Sequence, residues 1–286
     1  MKKLSSLALF LMFLSSISFS FIGCVKYNIP EKVQGSFQWR GQDLRERQKA
    51  LFKYITKRTV RVVIYKATYL KKLKQTTGRT YAGWGTGSIL NYKNGYSYIM
   101  TAEHVAPLMK KSIDENREVR YYYVLEYRNH KNKVIKYIRG AKIVATNAKI
   151  DISILKVKYN FKVRSVLAKR LYLGERVSIV GYPFLRGVKG AQLSYSHANV
   201  STLLYFKKSP TEASPLLARW GGAAYFGNSG GAVWNYKGEI VGVVTMITRF
   251  KTFLGTYIPQ QDCAYGPSIY AINYILSKNN LDFLKY

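Results

Sequence analysis

Gly227-Asn228-Ser229-Gly230-Gly231, followed by an apolar run, is the stretch that decides the fold. A serine hydroxyl is a weak nucleophile unless a neighbouring base removes its proton. Glycine adopts backbone conformations that other residues avoid, so Gly227 can turn its N–H group towards the same point as the N–H group of Ser229. An oxyanion at that point would gain about 3 kcal/mol from each donor. The stretch therefore predicts a nucleophilic Ser229 and an oxyanion hole formed by Gly227, Asn228 and Ser229.

Two further stretches supply the base and the acid that such a serine needs. Thr101-Ala102-Glu103-His104-Val105 ends an apolar run, and Asp151-Ile152-Ser153-Ile154-Leu155-Lys156-Val157 opens an alternating one. An imidazole titrates near neutral pH, so it can take a proton and return it, and a buried carboxylate fixes its tautomer. We therefore predict a catalytic triad of His104, Asp151 and Ser229. The alternative is that 227–231 is only a hairpin turn and that His104 is a core histidine.

The three stretches resemble the His, Asp and Ser motifs of trypsin-like peptidases, especially those of the bacterial HtrA/Deg branch. The order His, Asp, Ser along the chain is that of the chymotrypsin fold, whereas subtilisins and α/β-hydrolases order theirs differently. Stretches at 85–89, 173–183, 237–243 and 266–272 resemble the same family. The resemblance covers about residues 60–281. It implies a serine endopeptidase that cleaves a protein or peptide substrate without a cofactor.

The sequence differs from the family pattern in features that concern activation and regulation. Asn228 stands where digestive members have an Asp that pairs with a freshly cleaved N-terminus, and no Ile-Val-Gly-Gly-like start is present. The comparison therefore implies no activation of that type. The segment after Ser229 is too short for the PDZ domain that many Deg proteases carry, so we expect no peptide-binding module.

The resemblance also suggests where specificity is determined. It places Ala223, Thr245, Met246 and Ile247 around the primary specificity pocket. None of these residues is a carboxylate. We therefore expect cleavage after small or medium apolar residues and not after Lys or Arg.

The rest of the pattern is that of a β protein. Apolar runs at 60–65, 96–100, 119–127, 133–138, 177–180, 190–201 and 232–248 are separated by turns rich in Gly and Asn. Helical periodicity is found at 41–56 and at 272–278. We predict an all-β, chymotrypsin-like double β-barrel with an N-terminal amphipathic helix (41–56) and a C-terminal helix. The peptidase domain is expected over 57–286, with barrels at about 57–165 and 170–286.

The first residues have the features of an export signal. Lys2 and Lys3 precede an apolar run over 7–22, which ends in Phe21-Ile22-Gly23-Cys24 and resembles a bacterial lipobox. We predict a lipoprotein signal peptide over 1–23, a lipid anchor on Cys24 and a polar tether over 24–40. The protein would then be held on a membrane of the cell envelope, outside the cytoplasm, with Cys263 lacking a disulfide partner. An uncleaved membrane anchor and an ordinary signal peptide are the alternatives.

The charge of the chain is strongly positive. There are 46 Lys and Arg residues against 14 Asp and Glu, a formal net charge of +32. Such a field attracts anionic surfaces, so lipid or an acidic wall polymer is a further expected partner, unless the charge reflects an AT-rich genome. The basic residues are spread along the chain, so no specific nucleic acid is expected. The alternative functions are a catalytically silent binding module on a protease fold and a basic lipoprotein that binds anionic surfaces.

The other two histidines give weaker indications of a functional role. His130 lies in a charged turn and is expected to be a solvated loop residue, while His197 lies in a strand and could line the cleft. No His, Cys or Asp cluster has the spacing of metal ligands, so no metal site is predicted.

Overall fold

The computed structural model describes residues 41–108, 111–129, 131–184, 192–204, 216–251 and 257–285. The predicted signal peptide, the anchor at Cys24 and the tether up to residue 40 lie outside the described residues, as does His130. In the described ranges, no helix combines the length and the apolar character needed to cross a membrane.

Strands dominate these ranges, and a helix lies at each end. In chain order the elements are α1 (Gly41–Thr56), β1 (Thr59–Leu70), β2 (Gln75–Lys93), β3 (Tyr96–Thr101), β4 (Lys111–Ser112), β5 (Arg117–Arg128), β6 (Val134–Asn147), β7 (Ile152–Val157), β8 (Val166–Leu167), β9 (Arg176–Gly181), β10 (Ser194–Leu204), β11 (Leu217–Gly222), β12 (Ala232–Asn235), β13 (Glu239–Val243), β14 (Met246–Lys251), β15 (Tyr257–Pro267), α2 (Ile269–Lys278) and a 3₁₀ helix (Asp282–Leu284).

The first sheet closes into a barrel. Its strand order in the described ranges is β1-β2-β3-β7-β6-β5-β4, and β1 also pairs with β5 along its length. Because β1 has partners on both sides, the ring β1-β2-β3-β7-β6-β5 has no free edge, which removes a site for unwanted strand pairing. Ile99, Leu125 and Leu155 are fully buried in its core.

The second sheet has the order β14-β15-β11-β10-β9-β12-β13-β8 in the described part of the chain. A bridge between Gly242 and Ser268 joins β13 to the residue after β15, so this sheet also curves back on itself. Trp220 and Trp234 are fully buried in its core. The predicted all-β double barrel with terminal helices is therefore confirmed.

Strands β3 and β7 are buried on both faces along most of their length, and apolar residues occupy four of the six positions in each. Ile99 and Leu155 belong to the core of the first barrel, whereas Met100 and Ile154 belong to the cluster that contains the tryptophans of the second. These two strands therefore form the wall between the barrels, and the residues that follow β3 and precede β7 lie beside the junction.

The terminal helices cross over to the distant barrel. In α1, Tyr54 packs edge-on against Trp234 of the second barrel, with ring centroids 6.4 Å apart. In the 3₁₀ helix, Phe283 packs edge-on against Tyr98 of the first barrel at 5.2 Å, and its carbonyl accepts a hydrogen bond from Asn91 Nδ2 at 3.3 Å. We call these two segments the crossed straps.

Candidate active site

Asp151 holds His104 through two hydrogen bonds. Its Oδ2 is 2.8 Å from His104 Nδ1, and its Oδ1 accepts the backbone N–H of His104 at 2.9 Å. Asp151 ends the turn between β6 and β7 with a φ of +54°, a left-handed conformation that Asp and Asn tolerate better than most residues. The carboxylate favours the tautomer with the proton on Nδ1, which leaves Nε2 free to act as a base.

The segment that carries His104 is anchored to its neighbours. It leaves β3 as a helical turn in which the Ala106 N–H donates to the Ala102 carbonyl at 3.1 Å. Ser153 Oγ of β7 donates to the Ala106 carbonyl at 2.8 Å. The His104 side chain is 48% exposed and that of Asp151 22% exposed, so the imidazole is accessible while its partner is more protected.

Ser229 lies in the turn before β12, packed against the segment that leads to His104. Its carbonyl accepts the Thr86 N–H at 2.8 Å. Gly230 has a φ of +85°, and a Cβ there would lie 2.2 Å from both Thr101 Oγ1 and the Thr86 carbonyl oxygen, so only glycine fits. Within the described part of the chain no hydrogen bond joins Ser229 Oγ to His104. Such catalytic contacts are often long before substrate binds.

Two anchored carbonyls set the geometry of the turn before Ser229. The Phe226 carbonyl accepts the Phe184 N–H at 2.5 Å, and the Gly227 carbonyl accepts Thr86 Oγ1 at 2.7 Å. In a trans peptide the C=O and the following N–H point in opposite directions. Holding the Phe226 carbonyl therefore directs the Gly227 N–H away from Phe184.

The oxyanion hole predicted from the sequence needs one correction. The Asn228 N–H donates to the Tyr225 carbonyl at 3.0 Å, so it is committed to the turn and is not a donor for an oxyanion. Among the described residues, the N–H groups of Gly227 and Ser229 have no hydrogen-bond partner. One of these N–H groups belongs to Ser229 itself and the other to the residue two positions before it, so both fit the predicted role of donors to an oxyanion.

A family comparison agrees with this geometry. The model of the trypsin-like peptidase domain matches residues 85–243, more than half of the 286-residue chain. The chain belongs to this family. The match contains His104, Asp151 and Ser229 in that order. Among proteins of curated function, none matches this chain in sequence.

Thr86 is a residue of this trypsin-like peptidase domain whose importance the sequence did not reveal. Its hydroxyl donates to the Gly227 carbonyl at 2.7 Å and accepts the Tyr182 N–H at 2.9 Å. The residue is fully buried. Thr86 thus ties the oxyanion turn to both barrels, which makes it a positioning residue. No local sequence pattern could reveal this role, because Gly227 and Tyr182 lie 141 and 96 residues from Thr86 in the chain.

Aromatic and charged side chains pack behind the oxyanion turn. Trp84 Nε1 donates to the Tyr182 carbonyl at 2.8 Å, and the Trp84 ring lies 5.7 Å from the Phe184 ring. Arg61 stacks on Trp84 at 4.5 Å and is also paired with Glu126 at 3.0 Å. Burial raises the pKa of Tyr182, so its hydroxyl stays protonated. This packing restrains the segment that holds the Phe226 carbonyl.

The predicted specificity residues lie in the second barrel. Ala223 follows β11, is half-buried, and accepts Ser196 Oγ through its carbonyl at 2.6 Å. Thr245 is buried, Ile247 is half-buried, and Met246 is 46% exposed. Ala223 follows β11, whereas Thr245 directly precedes β14 and Met246 and Ile247 begin it, and β15 is the strand between β11 and β14 in the sheet.

The remaining candidates for a functional role are His197 and groups of side chains that could bind a metal ion. His197 on β10 is exposed and packs edge-on against Tyr195 at 5.1 Å. Over the described ranges no group of three or more His, Cys, Asp or Glu residues is placed to hold a metal ion.

Proposed function

We propose that this trypsin-like peptidase domain is an active serine endopeptidase, with Ser229 as nucleophile, His104 as general base and Asp151 as the residue that orients His104. The observation that carries the proposal is the double hydrogen bond between Asp151 and His104. A histidine held at both its ring and its backbone by one carboxylate has a fixed tautomer and position, which is what proton transfer requires.

The mechanism follows from this arrangement. Ser229 Oγ attacks the carbonyl carbon of the substrate while its proton passes to His104 Nε2. The negative charge that develops on the carbonyl oxygen is held by the N–H groups of Gly227 and Ser229. His104 then gives the proton to the leaving amine, which departs and leaves an acyl-enzyme on Ser229. Water, deprotonated by His104, attacks this ester. The C–O bond to Ser229 then breaks, His104 returns the proton to Ser229 Oγ, and the carboxylic acid product leaves.

The test is labelling of the purified protein with a fluorophosphonate, which reacts with activated serines. We expect labelling of the wild type and none of Ser229→Ala or His104→Ala, with all three equally folded by circular dichroism. A well-folded wild type that is not labelled would contradict the proposal and favour a catalytically silent binding module.

The same preparations test the specificity that we propose from Ala223, Thr245, Met246 and Ile247. None of these four side chains is charged, so small or medium apolar residues are expected before the cleaved bond in a peptide library. Cleavage chiefly after Lys or Arg would contradict this assignment.

We further propose that the protein is an HtrA-like lipoprotein of the cell envelope, anchored through Cys24 and facing outside the cytoplasm. The support is the sequence alone: the basic start, the apolar run and Phe21-Ile22-Gly23-Cys24. In cells expressing the full chain, labelled palmitate should be incorporated into the wild type and not into Cys24→Ala. Incorporation that persists in Cys24→Ala would contradict this anchor. Binding of the +32 chain to anionic lipid or wall polymer remains a second, electrostatic proposal, because such a charge attracts anionic surfaces.

A further inference from the structure

A cavity of about 1070 Å³ lies in the first barrel, outside the triad and the predicted specificity pocket. It is lined mainly by β5 and β6, with Arg79 of β2 and with Pro107 and Leu108 from the segment after His104. Its volume is at the upper end of the range for ligand sites in proteins. We call it the arginine–tyrosine cavity, after the side chains described next.

The lining carries uncompensated positive charge. Arg79, Arg139 and Lys142 are exposed, and none of them forms an ion pair with a described residue. Glu126 is an acidic residue of the lining, and it is already neutralised by Arg61 at 3.0 Å and Arg128 at 2.7 Å. The cavity therefore favours an anionic ligand, because a carboxylate there would meet three cations that form no ion pair with a described residue, whereas Glu126 is already paired.

Tyrosines lie among these cations in the lining. The Arg79 guanidinium lies over the Tyr122 ring at 4.5 Å, and Tyr122 Oη is 3.0 Å from Thr76 Oγ1. Tyr123 is buried, and its hydroxyl donates to the Pro107 carbonyl at 2.8 Å. Single-stranded nucleic acid is bound by stacking bases on exposed aromatic faces. The Tyr122 face is occupied by Arg79 and Tyr123 is buried, while Tyr137 of the lining is 58% exposed. The choice of carboxylates therefore rests on the cations of the lining and on the neighbouring active site, which would hold a polypeptide.

The cavity adjoins the active site. Pro107 follows His104 by three residues, and consecutive Cα atoms are 3.8 Å apart, so the two residues are separated by at most about 11 Å. An extended peptide covers that distance in about four residues. A polypeptide cleaved at Ser229 can therefore reach the cavity with a segment that begins a few residues from the cleaved bond.

We propose that the arginine–tyrosine cavity is an exosite that binds an acidic segment of the polypeptide substrate. The proposal rests on the proposed peptidase function and adds the class of substrate. Carboxylates of the segment pair with Arg79, Arg139 and Lys142, which raises the local concentration of the scissile bond at Ser229.

The test compares two peptides with one cleavable sequence, flanked four to eight residues away by four Glu or by four Gln. With wild-type protein we expect the acidic peptide to have a kcat/KM on the order of tenfold higher, mainly through KM, with a gain that falls as salt rises. The variant Arg79→Gln/Arg139→Gln/Lys142→Gln should lose this gain and cleave the Gln peptide normally. A gain that survives in this variant would overturn the proposal.

A matched control separates the cavity from the general charge of the protein. Arg164→Gln/Lys169→Gln/Arg170→Gln removes the same charge from exposed positions outside the cavity, and it should keep the full gain. Equal loss in this control would assign the effect to net charge and overturn the exosite.

Binding measured without turnover distinguishes failure of the exosite from failure of the peptidase. In the Ser229→Ala background, fluorescence anisotropy should show tighter binding of the labelled acidic peptide than of the Gln peptide, and the difference should vanish with the three cavity substitutions. An oligothymidylate that binds the cavity more tightly than the acidic peptide would overturn the choice of ligand. Absence of cleavage of the Gln peptide by wild type would instead count against the peptidase function alone.

Discussion

Asp151→Asn will lower kcat about 10⁴-fold while the protein remains folded. The carboxylate accepts hydrogen bonds from both the ring and the backbone of His104, but an amide has one acceptor oxygen only. The amide NH₂ group facing Nδ1 would favour the tautomer in which Nε2 carries the proton, and that nitrogen could no longer deprotonate Ser229. The measurement is kcat on a cleavable peptide beside thermal unfolding.

Asparagine is chosen because it tolerates the backbone conformation of residue 151. Asp151 has a φ of +54°, and Asn adopts this left-handed conformation readily, whereas Ala would add a steric cost of about 1–2 kcal/mol. Asp282→Asn is the matched control, since Asp282 is exposed and pairs with Lys285. A kcat within tenfold of wild type in Asp151→Asn would show that this carboxylate does not orient the base.

Thr86→Val will reduce kcat by about 10²-fold, the order expected when one oxyanion donor is lost. Valine keeps the shape of threonine but cannot hold the Gly227 carbonyl or the Tyr182 N–H. The Gly227 peptides are then free to rotate away from the substrate. The two buried polar groups left unpaired also destabilise the fold, by about 1–3 kcal/mol each. The measurement is kcat and KM on one peptide, with the melting temperature followed in parallel.

Thr86→Ser should restore most of kcat because it returns the hydroxyl, and this rescue separates positioning from mere packing. Thr80→Val is the control, since the Thr80 hydroxyl is exposed and donates only a long bond of 3.4 Å to the Lys66 carbonyl. If Thr86→Val lowered the melting temperature and left kcat unchanged, Thr86 would be structural only.

The fold class could be predicted from the sequence because local sequence patterns indicate the strands and the turns between them. Apolar runs with Gly-rich turns indicate strands, and β3 and β7 were found in this way although each contains two polar residues. The second half of β1 and the first half of β2 were missed. Residues 75–82 are exposed and mostly polar, and they form a strand by pairing with β1, a contact that their own sequence pattern does not indicate.

The sequence predicted only those residues of the candidate site that lie in short motifs. His104, Asp151 and Ser229 each lie in a recognisable stretch, and the structure brings His104 and Asp151 into contact; the catalytic role of all three remains a prediction. The commitment of the Asn228 N–H to Tyr225, the anchoring of Gly227 by Thr86 and the arginine–tyrosine cavity all depend on contacts between distant segments. No periodicity or local motif reports such contacts.

The crossed straps have a consequence for synthesis. The first barrel supplies His104 and Asp151, yet Tyr98 on its surface is covered by Phe283, which leaves the ribosome only after Ser229. The nascent first barrel therefore leaves Tyr98 uncovered until Phe283 has emerged. The proposed peptidase activity should accordingly arise only after both Ser229 and the 3₁₀ helix have been made, so a chain cut short before Phe283 is expected to be inactive.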